Sequence, residues 1–121
     1  MESTGSANHR FSALDYAAAM ERVGGDATLL REIARLFLDE YPGLLKSLKQ
    51  AVSEGQADGL YRAAHTLKGS LGTLGAYAAF QSAQHLETMG RNSDLSEAGA
   101  GLLAFEDLLR RLDTELRELA R

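Results

Sequence analysis

Leu60-Tyr61-Arg62-Ala63-Ala64-His65-Thr66-Leu67-Lys68-Gly69-Ser70-Leu71-Gly72 reads as one piece of amphipathic helix. At 100° per residue, Leu60, Ala64, Leu67 and Leu71 fall within about 60° of one another and make an apolar stripe. His65 lies about 140° from Leu60 on the same wheel, outside that stripe. Tyr61, Lys68, Gly69 and Gly72 share its side. Most surface histidines have no role, but the neighbours of this one are unusual. Glycine inside a helix costs roughly 0.5–1 kcal/mol against alanine. Two glycines beside the histidine predict a surface that something approaches closely.

A helix with one apolar stripe needs partners, and the flanking sequence supplies them. Upstream, Asp26 is placed to cap a long helix with inward candidates Leu29, Leu30, Ile33, Leu36, Phe37, Tyr41, Leu44, Leu45, Leu48 and Val52. Pro42 interrupts it, and because the apolar period resumes beyond, a kink is expected rather than a break. Gly55 closes this helix, and the histidine helix follows over about Ala57 to Thr73. Gly72 and Gly75 bracket a turn. The next helix, about Ala76 to Met89, turns Ala76, Ala79, Phe80, Ala83 and Leu86 to one side, and Gly90 is expected to stop it. Asp94 with Glu97 three residues on resembles a capping box. The last helix then shows Leu95, Ala98, Leu102, Phe105, Leu109, Leu112, Leu116 and Leu119, whose alternating three- and four-residue intervals make a seam of coiled-coil type. A short leading helix, capped by Ser12 or Asp15 and ending near Val23 before Gly24-Gly25, places Leu14, Ala18 and Met20 or Val23 inward.

Short connections make neighbouring helices antiparallel. The predicted fold is therefore all-α, an antiparallel up-and-down four-helix bundle with a short additional N-terminal helix. Residues 1–11 are expected to be a disordered lead-in, and residues 12–121 a single bundle. Composition agrees: apolar residues make up 45% of the 121, there is one proline and no tryptophan, and alanine, leucine and glutamate outnumber β-branched residues. The net charge of −4 argues against a nucleic-acid partner. With no cysteine, disulfides and thiolate metal sites are excluded. No apolar run reaches membrane-spanning length and no signal peptide is visible, so a soluble cytoplasmic domain without membrane insertion is expected; a monomer is expected as well, though nothing in these features fixes the oligomeric state.

Imidazole is a competent nucleophile near neutral pH. On a rigid helix it can accept a phosphoryl group, provided that another protein supplies the donor and the metal. Such transfer depends mainly on positioning and on neutralising charge at the oxygens. Lys68, one turn on, is placed to meet a phosphoryl group on His65, and Gly69 clears space for a partner. A second group enters from the next helix. Glu87 sits about 40° from Ala83, at the edge of the inner stripe. A carboxylate there should be partly shielded and hydrogen-bonded, with His65 as a candidate partner. Held on one ring nitrogen, it would fix the tautomer and leave the other nitrogen free to attack. The alternative is that Glu87 extends to water. His85 points outward, and His9 has no assigned role.

The hexapeptide His65-Thr66-Leu67-Lys68-Gly69-Ser70 resembles the signature of histidine-containing phosphotransfer (HPt) domains of bacterial two-component phosphorelays. The similarity extends over Glu21-Arg22-Val23-Gly24-Gly25-Asp26 with Leu29-Leu30, through Leu36-Phe37-Leu38 and Leu44-Leu45, to Gly75, Leu86-Glu87 and Gly90. Beyond Gly90 the last helix matches only in pattern. The resemblance implies a four-helix bundle in which His65 is the phosphoacceptor, Lys68 neutralises charge, Gly69 gives access and Glu87 orients the histidine. Glutamine is frequent at the Glu87 position in that family, and glutamate occurs in the related domains of chemotaxis kinases. The implied partners are response-regulator receiver domains and a histidine kinase, with no cofactor of the chain's own.

Two rivals share these residues: a phosphoacceptor domain phosphorylated directly by an ATP-using histidine kinase, and a non-catalytic helical interaction module. A di-metal bundle site would need Glu-x-x-His pairs. The residues three before His9, His65 and His85 are Ser6, Arg62 and Ser82, so no such pair exists. A phosphate-binding Gly-x-x-x-x-Gly-Lys-Ser/Thr loop is also lacking.

Overall fold

Asp15 turns the chain into its first helix. Its carboxylate accepts the backbone N–H of Ala18, the bond expected of an N-cap. In the computed structural model, which describes residues 11–121, five helices follow in order: α1 (Tyr16–Arg22), α2 (Ala27–Glu54), α3 (Ala57–Thr73), α4 (Tyr77–Arg91) and α5 (Ala98–Leu119). No strand occurs among the described residues. The lead-in expected over residues 1–11 lies outside the described residues, except for Phe11, which is buried in the core.

Helices α2 to α5 form a closed four-membered ring: α3 packs on α2 and α4, and α5 returns to both α4 and α2. This is the up-and-down bundle that the sequence implies. The core stripes are Leu30, Ala34, Phe37, Leu48 and Ala51 of α2, and Leu60, Ala64, Leu67 and Leu71 of α3. They meet Ala79, Ala83 and Leu86 of α4 and Phe105, Leu109, Leu112 and Leu116 of α5. Each fully buried leucine contributes roughly 1.5–3 kcal/mol from loss of water contact.

Helix α2 runs through Pro42 without a break, because apolar residues on both sides, Phe37 and Leu48, are held in the same core. Its buried seam is Leu30, Ala34, Phe37, Leu48 and Ala51, and the expected Ile33, Tyr41, Leu44, Leu45 and Val52 pack partly buried against the core; two expected residues turn outward. Leu29 and Leu36 are 40% and 58% exposed. In α1 the buried residue is Ala19, while the expected Ala18 is only partly covered.

Two helix boundaries also differ from expectation. Asp94 does not cap α5. Its carboxylate accepts from the backbone and the hydroxyl of Ser96 in a local turn, and the helix starts only at Ala98 with no side-chain cap. Gly90 does not stop α4, which continues to Arg91. A Cβ on Gly90 would lie 2.6 Å from Tyr61 N and 2.7 Å from Ala57 O. This glycine therefore marks where two helix backbones touch, not where one ends.

The N-terminal segment is tied to the bundle at two points. The Glu115 carboxylate accepts the backbone N–H groups of Ala13 and Leu14 and the Ser12 hydroxyl. Asp15 N–H donates to the carbonyl of Gly75, which has a φ of +70° and leaves no room for a side chain against Asp15 O.

Candidate functional site

The α3–α4 pair is the closest in the bundle, with the Gly90 backbone seated directly on the Ala57–Tyr61 turn. That approach brings the inner edge of α4 against the outer edge of α3. On α3, His65, Thr66 and Gly69 face outward, and Lys68 is half-buried. On α4, Glu87 is turned into the contact and is 1% exposed, the one charged side chain among the buried residues described.

A buried carboxylate must find donors, and Glu87 has three. Its Oε2 lies 2.7 Å from His65 Nδ1, and its Oε1 lies 2.7 Å from Lys68 Nζ. Arg91, one turn further along α4, donates to Oε2 at 3.3 Å. Burial alone pushes the Glu87 carboxyl up. The hydrogen bonds and charges of Lys68 and His65 outweigh that effect and hold it below the usual carboxylate value. Glu87 is therefore ionised at neutral pH and can only accept. The His65 nitrogen facing it must carry the hydrogen, so in the neutral ring Nε2 is the nitrogen with the lone pair.

The His65 ring is 59% exposed even while its Nδ1 is anchored. One face rests on the Tyr61 ring, with centroids 5.8 Å apart and planes inclined by 17°. Arg91 covers the same Tyr61 ring, its guanidinium carbon 5.5 Å from the centroid. At Gly69 the space where a side chain would project is open, with no heavy atom within 4 Å.

The structure thus brings His65, Lys68 and Glu87 into one cluster and leaves Gly69 on the open surface beside it. Lys68 is not free in this state but is engaged with Glu87. Tyr61 and Arg91 join the cluster, though the sequence reading gave neither a role. The Glu87-x-x-x-Arg91 and Tyr61-x-x-x-His65 spacings were the available signals, because residues four apart share a helix face. His85 is exposed and stands outside the cluster. Among the described residues no group of three or more His, Cys, Asp or Glu side chains is arranged to hold a metal ion. No helix there is long and apolar enough to cross a membrane.

The sequence model of the Hpt domain matches residues 32–119, and the chain belongs to that family. Membership carries a phosphotransfer role in two-component signalling. The fold is also that of histidine-containing phosphotransfer protein B (HptB) from Pseudomonas aeruginosa PAO1, with a TM-score of 0.81 at 22% identity, covering 88% of this chain and 92% of that one. No curated protein sequence matches the chain significantly.

Proposed function

We propose that this chain is a phosphorelay intermediate. His65 accepts a phosphoryl group from the aspartyl phosphate of one receiver domain and passes it to the aspartate of another. The observation that carries this reading is an exposed imidazole whose Nδ1 is held by a buried, ionised carboxylate. In the acceptor step the Nε2 lone pair attacks phosphorus, and the N–P bond forms as the acyl-phosphate P–O bond breaks. The donor carboxylate leaves with the electron pair, and the Nδ1 proton stays on the bond to Glu87. Glu87 orients the ring, Lys68 balances charge beside it, and Gly69 leaves room for the receiver surface to close over the histidine. The donor's metal and acidic pocket belong to the partner, so the chain acts as a cytoplasmic carrier between receiver domains, downstream of a histidine kinase.

The test is incubation of the chain, without ATP, with a panel of phosphorylated receiver domains, scoring acid-labile label on wild type and on His65→Gln. Label on wild type and none on the variant is the expected result. The variant should keep its helicity and stability, because an exposed side chain adds little to the core. Equal labelling of His65→Gln would refute the assignment. Labelling that needs ATP and a kinase would favour direct phosphorylation instead.

A further inference from the structure

We infer that Arg91 is a positioning residue for His65: seated on the Tyr61 ring and bonded to the Glu87 oxygen that receives His65 Nδ1, it holds the imidazole in the one tautomer and ring plane that expose Nε2. This rests on the reading of His65 as the phosphoacceptor.

The argument starts from charge. A lone buried carboxylate facing an imidazole would favour a protonated ring, which has no lone pair to attack with. Glu87 does not stand alone, because two basic side chains, Lys68 on Oε1 and Arg91 on Oε2, already meet its carboxylate. The neutral His65 ring satisfies Glu87 through its Nδ1–H alone. The positive charge of Lys68 and Arg91 also suits an arriving phosphoryl group.

Geometry adds the second constraint. A single hydrogen bond fixes where Nδ1 sits but leaves the ring free to rotate about that bond. The Tyr61 face, near parallel at 17°, supplies the missing restraint. Arg91 caps the arrangement by covering the same Tyr61 ring while its guanidinium reaches Glu87. A planar guanidinium can stack and donate at once, whereas an ammonium group cannot stack. Arg91 is 58% exposed, so its place is set by these contacts and not by the core. It also follows Gly90 directly, the residue whose missing side chain brings this end of α4 onto Tyr61.

The test uses the whole chain and two readouts. Ring nitrogen-15 chemical shifts of His65 report its tautomer and protonation. Uptake from potassium phosphoramidate, a small donor that needs no docking surface, reports the reactivity of the imidazole itself. Arg91→Gln and Tyr61→Leu should each show mixed ring states and uptake slower by about tenfold, the scale on which loss of a group that orients a reactive side chain is felt. Arg91→Lys should recover less than half of the loss. If either Arg91→Gln or Tyr61→Leu keeps wild-type shifts, or keeps wild-type uptake, the inference is overturned. Failure of the parent reading looks different: wild type and His65→Gln would take up phosphoryl groups alike, while the ring shifts would still decide whether Arg91 sets the tautomer.

Discussion

Replacing Gly90 with alanine adds one methyl group at the closest point of the bundle. It would sit 2.6 Å from Tyr61 N, 2.7 Å from Ala57 O and 2.9 Å from Tyr61 Cα. All three are backbone atoms of α3, and none can swing aside as a side chain would. Reaching ordinary contact at 3.4 Å requires α3 and α4 to part by about 0.8 Å at this level. Two opposed effects follow for stability. Alanine is a better helix former than glycine by roughly 0.5–1 kcal/mol. Overpacking against fixed atoms costs about 1–3 kcal/mol, here toward the upper end. The net expectation is a loss of about 1–2 kcal/mol, read as a lowered urea midpoint at unchanged slope. The same displacement acts on the site. The His65–Glu87 bond of 2.7 Å would lengthen toward 3.5 Å, past the useful range of a hydrogen bond. Phosphoryl uptake should therefore fall with stability, although Gly90 touches neither His65 nor a partner. A Gly90→Ala protein as stable as wild type, with unchanged uptake, would refute the close-approach argument.

Gly69 makes the opposite case. Its side-chain position is open, so Gly69→Ala should stabilise the domain by about 0.5–1 kcal/mol in the same urea assay, while Gly69→Gln should slow transfer from a receiver without affecting uptake from a small donor. Glu87 sets an acid limit. Its folded pKa lies below the ordinary 4.5, so its contribution is fully present above that value and is lost as pH falls through the lower folded one. Urea midpoints measured from neutral pH downward should show a wild-type advantage over Glu87→Gln that shrinks below about pH 4.5. The Tyr41 hydroxyl donates to Asp113 across the α2–α5 contact, and burial together with that carboxylate pushes its pKa up to about 12. Difference absorbance against Tyr41→Phe should show Asp113→Asn moving this ionisation back toward 10, and Tyr41→Phe should cost about 1 kcal/mol in urea.

Much of the architecture was legible because helical periodicity is a local property. The α5 seam from Ala98 to Leu116 and the span of the histidine helix were readable from spacing alone. What escaped depended on the other side of a contact. Gly90 looks like a stop signal until the α3 backbone is seen lying on it. Asp94 and Glu97 have capping-box spacing, but Ser96 offers Asp94 a nearer pair of donors. Leu29 and Leu36 keep helical period yet flank the seam, which runs through Leu30, Ala34 and Phe37. At the site, the edge position of Glu87 was visible on a helical wheel, but its pairing with Lys68 as well as His65 was not. Tyr61 and Arg91 are four residues from His65 and Glu87, but only the packing of the two helices makes these four one cluster.

The open space over Gly69 has a consequence for anyone evolving this domain in the laboratory. A library selected only for survival on heating would purge changes at Gly90 and Gly75, where a side chain meets backbone. It would enrich alanine and longer helix formers at Gly69, where nothing resists them. Successive rounds would yield ever hardier proteins with the histidine intact and, under the proposed relay function, with the receiver's approach over Gly69 obstructed. Under the proposed relay function, the mid-helix glycine keeps room for a receiver domain at the expense of stability that alanine would supply.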